Sequence, residues 1–164
     1  MNLTILTGRL CTEPKMSIVQ LWERDIVVCK FVIGITPGTY EQDAEENIQN
    51  QFDYLQCITF GEAASRIKTE FYKGCKVNVM GKVKNYEFED INKTAHYTNI
   101  VLVDQIECGD TISAINPITG RKTSSDISTI SNFKEMEVGF QMMCEKGFLC
   151  IDENDYYKIA TMNM

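Results

Sequence analysis

Histidine occurs once, at His96. Neither a nucleophile elbow nor an HExxH pattern surrounds it, which argues against His-dependent triads and zinc hydrolases and leaves His96 as a strand surface residue. No glycine-rich loop of the Walker type is present, so no segment is built to cradle nucleotide phosphates. Cysteine is not scarce, at Cys11, Cys29, Cys57, Cys75, Cys108, Cys144 and Cys150. No two of these stand in C-x-x-C spacing and their number is odd, so scattered free thiols in a reducing compartment fit better than a zinc site or a disulfide framework. The start of the chain, Met1 to Arg9, has no basic segment and no long apolar run. Neither a signal peptide nor a membrane span is expected, and a cytoplasmic location is. Positive charge is in short supply as well: 16 Lys and Arg against 23 Asp and Glu give a net charge of -7. The field of such a chain repels phosphate at long range. A polyanion site must therefore rest on locally concentrated lysines, because charges beyond a Debye length of about 8–10 Å are screened. The carboxylates Glu87, Glu89 and Asp90 lack a partner cluster and read as an acidic hairpin tip rather than a metal site. No catalytic residue, metal or cofactor is expected.

What the chain does have is the run Lys82-Val83-Lys84-Asn85-Tyr86-Glu87-Phe88. Side chains alternate across a pleated strand, so Lys82, Lys84, Tyr86 and Phe88 share one face, while Val77, Val79, Gly81 and Val83 suit the buried face. Ammonium groups neutralise phosphates and aromatic rings stack on any base, a combination suited to sequence-tolerant binding of unpaired strands.

The rest of the chain frames this run. Asn2 to Leu10 reads as a first strand ending near Glu13-Pro14, and Ile26 to Ile35, broken only by Lys30 and Gly34, as a central one. Trp22, in the hairpin loop between them, reads as packing rather than stacking. Tyr40 to Gln51 is acidic and amide-rich and reads as a loop. Phe52 to Phe60 is a third strand with Leu55 and Cys57 inward and Tyr54, Gln56, Ile58 and Phe60 outward. Ala63, Ala64, Ile67 and Phe71 fall at helical spacing, stopped by Lys73-Gly74. Cys75 to Phe88 and Ala95 to Ile106 are the fourth and fifth strands. The expectation is an all-β domain with one helix, a five-stranded OB-fold barrel over residues 1–107, of the kind that binds oligonucleotides. A Ser/Thr-rich linker follows over 108–132. In residues 133–164, Met136, Val138, Phe140 and Met142 alternate with polar residues and predict a small β-rich extension of unassigned role.

Asn2-Leu3-Thr4-Ile5-Leu6-Thr7-Gly8-Arg9-Leu10 with Glu13-Pro14, Phe52-Asp53-Tyr54-Leu55-Gln56-Cys57-Ile58-Thr59-Phe60-Gly61-Glu62-Ala63-Ala64, Lys73-Gly74-Cys75-Lys76-Val77-Asn78-Val79-Met80-Gly81-Lys82-Val83 and Tyr97-Thr98-Asn99-Ile100-Val101-Leu102-Val103-Asp104-Gln105-Ile106 together resemble the bacterial and phage single-stranded DNA-binding proteins of the OB-fold type. The resemblance implies a non-catalytic protein that coats unpaired DNA in replication, recombination or repair, assembled as a homotetramer. It implies base-stacking roles for Tyr54, Phe60 and Phe88, and for Tyr40 in the loop after the second strand. Family members end in an acidic stretch closed by an apolar tip that recruits partners. Here the last residues are Lys158 to Met164, a departure that counts against conventional recruitment.

Two alternatives stay open at this level. Lys82 and Lys84 serve either as phosphate contacts or as edge-strand lysines that discourage aggregation. The aromatic face fits either DNA or, in an OB-fold assembly subunit or primosome-type protein, a protein partner; the interleaved lysines favour DNA.

Overall fold

The computed structural model describes residues 1–35, 52–109, 133–148, 156–157, 159 and 161. Six strands and two helices run in the order β1 (Thr4–Leu10), β2 (Lys15–Leu21), β3 (Arg24–Ile35), β4 (Asp53–Phe60), α1 (Glu62–Glu70), β5 (Lys76–Glu89), β6 (Ala95–Cys108) and α2 (Phe133–Glu145). Tyr40 and the 108–132 linker reading, apart from Cys108 and Gly109, lie outside the described residues.

Five of the strands close on themselves. β1 pairs with β5 from Thr4↔Gly81 to Arg9↔Lys76, β5 with β6, β6 with β4 in parallel, and β4 with β3. β3 then meets the end of β1 at Arg9↔Gly34 and Leu10↔Ile33, completing the ring. At this seam the chains approach too closely for side chains. A Cβ on Gly8 would strike the carbonyl oxygen of Gly34, and one on Gly34 would lie 2.7 Å from Cys11 Sγ. In chain order the ring strands are β1, β3, β4, β5 and β6 with α1 between the third and fourth, the order expected of an OB-fold.

β2 is the strand that the sequence pattern left inside a hairpin loop. It pairs with β3 from Lys15↔Lys30 to Leu21↔Arg24. The two residues between them, Trp22 (φ 52°) and Glu23 (φ 59°), both adopt left-handed backbone, as a two-residue turn matched to strand twist requires. Trp22 is partly buried against the outer apolar layer, and the Arg24 guanidinium lies 5.3 Å from its ring centroid.

The interior of the ring is filled by Leu10, Val27, Cys29, Phe31, Ile33, Cys57, Val77, Val79, Val101, Val103 and Ile106, all buried. α1 closes this core with Ala64 and Ile67, three residues apart and so on one face of the helix. Val83 departs from expectation. Beyond Gly81, β5 pairs only with β6, so Val83 runs past the shelter of β1 and is partly exposed.

A second apolar layer lies on the opposite side of the sheet: Leu21, Ile26, Val28, Ile58, Phe60, Tyr86, Phe88, Ile100 and Leu102, covered by Met136, Phe140 and Met143 of α2. This corrects the expected β-rich extension over its first part. Met136, Gly139, Phe140 and Met143 recur at spacings of three and four and face the sheet, whereas Val138, which the strand reading placed with them, is exposed. Phe133–Glu145 is rich in Lys, Glu, Gln and Met, good helix formers, and a helix buries one stripe without a neighbouring strand to satisfy its backbone.

Candidate nucleic-acid interface

The outer face of the sheet gathers the residues that the alternation pattern singled out. β4 contributes Tyr54, Gln56, Ile58 and Phe60, and the outer half of β5 contributes Lys82, Lys84, Tyr86 and Phe88. Tyr86 and Phe88, two positions apart on one strand, stack with centroids 5.8 Å apart and planes at 23°. Phe88 in turn stacks on His96 across the β5–β6 ladder at 5.2 Å, their backbones being paired partners. His96 is thus not a free strand surface residue but a member of an aromatic row.

The hairpin tip is fixed by Asp90. Its Oδ1 accepts hydrogen bonds from the backbone N–H groups of Asn92 and Thr94 at 2.8 and 2.9 Å, and its Oδ2 lies 2.8 Å from His96 Nε2. The His96 bond, with the two backbone donors, holds the Asp90 carboxyl below the usual aspartate range. The acidic tip is therefore a turn whose carboxylate is used internally.

Exposure departs from the sequence expectation. Tyr54 is half-buried, but Phe60, Tyr86 and Phe88 are only 0%, 4% and 6% exposed. The alternation assigned these rings to the correct face; the face itself is roofed. Phe60, Tyr86 and Phe88 lie in the layer beneath α2, and Tyr156 meets Phe88 edge-on at 5.1 Å. Lys82 and Lys84 are engaged as well, their Nζ atoms 3.0 and 2.7 Å from Glu137 Oε1. The same Lys82 ammonium stands 5.0 Å from the centroid of Phe133. These hydrogen bonds, from Lys84 first and Lys82 second, hold the Glu137 carboxyl below the ordinary glutamate range.

Residues 1–108, the segment that ends with the last strand of the closed sheet, match the single-strand binding protein family. The chain belongs to that family. Family membership agrees with the five-strand order and the position of α1, and with the motif series read from residues 1–107. Among individual proteins, the chain is 27% identical over 137 residues to the single-stranded DNA-binding protein of Fusobacterium nucleatum, covering 84% of this chain and 79% of that one. It is 22% identical over 135 residues to single-stranded DNA-binding protein 2 of Clostridium acetobutylicum, covering 80% and 96%. A 24% identity over 107 residues relates it to the single-stranded DNA-binding protein of Clostridium perfringens, covering 65% of each.

The residues that the sequence pattern did not bring to this face are Met136, Glu137, Phe140, Met143, Tyr156 and Tyr157. The spacing Met136, Phe140, Met143 was the available signal for the helix. Nothing local signals that Glu137 pairs with lysines more than fifty positions earlier.

Proposed function

We propose that this protein binds single-stranded DNA along the outer face of its closed sheet, without catalysis. Lys82 and Lys84 then contact phosphates, and Tyr54, Phe60, Tyr86 and Phe88 offer rings to successive bases, with Tyr40 contributing from the loop after β3. The match of residues 1–108 to the single-strand binding protein family carries this reading. The grouping of rings and ammonium groups on one face supports it, since stacking on an aromatic side chain is worth about 1–3 kcal/mol per base and tolerates any sequence. Stacking of that size offsets the repulsion expected from a net charge of -7. The biological setting is the coating of unpaired DNA in replication, recombination or repair, in the cytoplasm.

We also propose that the chain self-associates, as a homotetramer, through the exposed side of β1 and the hairpins. Leu3 and Ile5, 56% and 65% exposed, provide apolar surface beside that strand's start.

Fluorescence anisotropy with a labelled dT oligomer tests the binding reading. The expected result is a saturable signal that a duplex of equal length does not compete away and that weakens with salt. The slope of log K against log salt should be shallow, about -0.7 per phosphate neutralised, because few lysines serve the face. No saturable signal at any salt concentration overturns the reading.

A further inference from the structure

We infer that α2 and the tyrosine pair after it are a built-in occupant of the DNA face, so that the strand and the helix compete for the same residues and DNA binding displaces the helix. The inference rests on the reading of that face as the DNA site.

Four contacts carry it. Glu137 places a carboxylate between Lys82 and Lys84, at 3.0 and 2.7 Å, where a phosphate oxygen would sit on these two ammonium groups. Met136, Phe140 and Met143 cover Phe60, Tyr86 and Phe88, giving the rings apolar neighbours where bases would stack. Tyr156 sets its ring edge-on against Phe88 at 5.1 Å, an aromatic partner in the place of a base. The Tyr157 hydroxyl lies 3.1 Å from His96 Nε2 and 3.5 Å from Asp90 Oδ2, which latches the segment to the hairpin tip. The helix thus supplies one anion and several apolar groups, the same chemistry that a stretch of single-stranded DNA offers. Every one of Lys82, Lys84, Phe60, Tyr86 and Phe88 is engaged at once.

Such an occupant is suited to leave. Its ion pairs are partly exposed, with side chains 28–35% accessible, and pairs of that kind hold weakly. The closed sheet has its own core, bounded by α1, which does not include α2. The helix is also covalently tethered, so it competes as an intramolecular ligand at high effective concentration and lowers the apparent DNA affinity by the fraction of molecules in which the face is open. Displacement would bare the apolar stripe of α2 at the same moment as DNA is bound.

Hydrogen exchange on the full chain, with and without a dT oligomer, tests this together with anisotropy on two substitutions. Gly139→Pro breaks α2 without changing charge, and Glu137→Gln removes the anion. The expected result is that residues 133–145 lose protection when DNA binds while β3–β6 keep theirs. Gly139→Pro should bind dT about ten-fold more tightly or better, and Glu137→Gln a few-fold more tightly. If Gly139→Pro does not fold, the exchange experiment on the unaltered chain and Glu137→Gln decide. DNA binding with α2 protection unchanged, and with neither substitution tightening it, overturns the inference and leaves the DNA-binding reading standing. Absence of DNA binding in the unaltered chain and in both folded variants removes the reading and the inference with it.

Discussion

The carboxylate of Glu137 on α2 stands 2.7 Å from the ammonium of Lys84 on β5, a helix and a strand joined across 53 residues of chain. Because Glu137 is held below its ordinary value of 4.5 in the folded protein, its pairing adds stability above that value, and the contribution is lost as pH falls through the lowered one. The other charges near the clamp are Lys82, Asp104, whose carboxyl desolvation pushes upward, and Lys134 and Glu135 on α2 itself. Amide protection in 133–145 should hold unchanged from neutral pH to about pH 5 and decline below the ordinary glutamate range. In Glu137→Gln, the decline from this group should vanish.

Tyr54→Ala should weaken dT binding by about 1–3 kcal/mol, roughly 5- to 150-fold, the usual worth of one stacked base. Tyr54 stands at the outer end of β4 and is not among the residues packed in either apolar layer, so the unfolding midpoint in urea should barely move. Unchanged affinity in the folded variant removes Tyr54 from the interface.

Phe31, 1% exposed at the centre of the closed sheet, should cost about 3–5 kcal/mol when replaced by alanine, through lost burial and the cavity left behind. Urea unfolding measures it. Since Phe31 faces the ring interior, the surviving folded fraction should keep its dT affinity.

Gly8→Ala brings a methyl group against the Gly34 carbonyl oxygen at the seam between β1 and β3. Backbone has to shift to admit it, and a loss on the order of 1–3 kcal/mol is expected. Exchange of the Leu10 amide, which donates to the Cys75 carbonyl at 3.0 Å, should quicken ahead of the amides in β5–β6.

Thiol labelling should follow burial. Cys108 is exposed and reacts first among the cysteines of the sheet. Desolvation pushes the Cys29 thiol up to about 12 and raises Cys57 likewise. The reactive form is the thiolate, so both should label only on unfolding. Rapid labelling of Cys57 in the native protein would contradict its placement in the core.

Much of the ring was legible in the sequence because a strand side chain has only two directions to choose from. Val77 and Val79 turn inward, Lys82 to Phe88 at every second position turn outward, and this follows from the period of two wherever the strand is placed. The helix after β4 was legible from Ala64 and Ile67, followed by Lys73-Gly74. β2 was missed: Lys15–Leu21 is short, and only Leu21 among its side chains is fully buried, so its apolar pattern is faint. α2 was misread because Met136, Val138, Phe140 and Met142 satisfy a period of two, while Met136, Phe140 and Met143 satisfy the helical one; an apolar run of this length does not choose between them.

The sequence by itself determined the family, the order of the ring strands and which face each ring and ammonium group takes, because these depend on local alternation and motif spacing. Only the tertiary structure decided what that face meets. Whether Phe60, Tyr86 and Phe88 look into water or under a helix depends on where a segment from beyond residue 132 comes to rest. That is settled by burying the apolar stripe of α2 and pairing Glu137 with Lys82 and Lys84, long-range terms that no local period encodes.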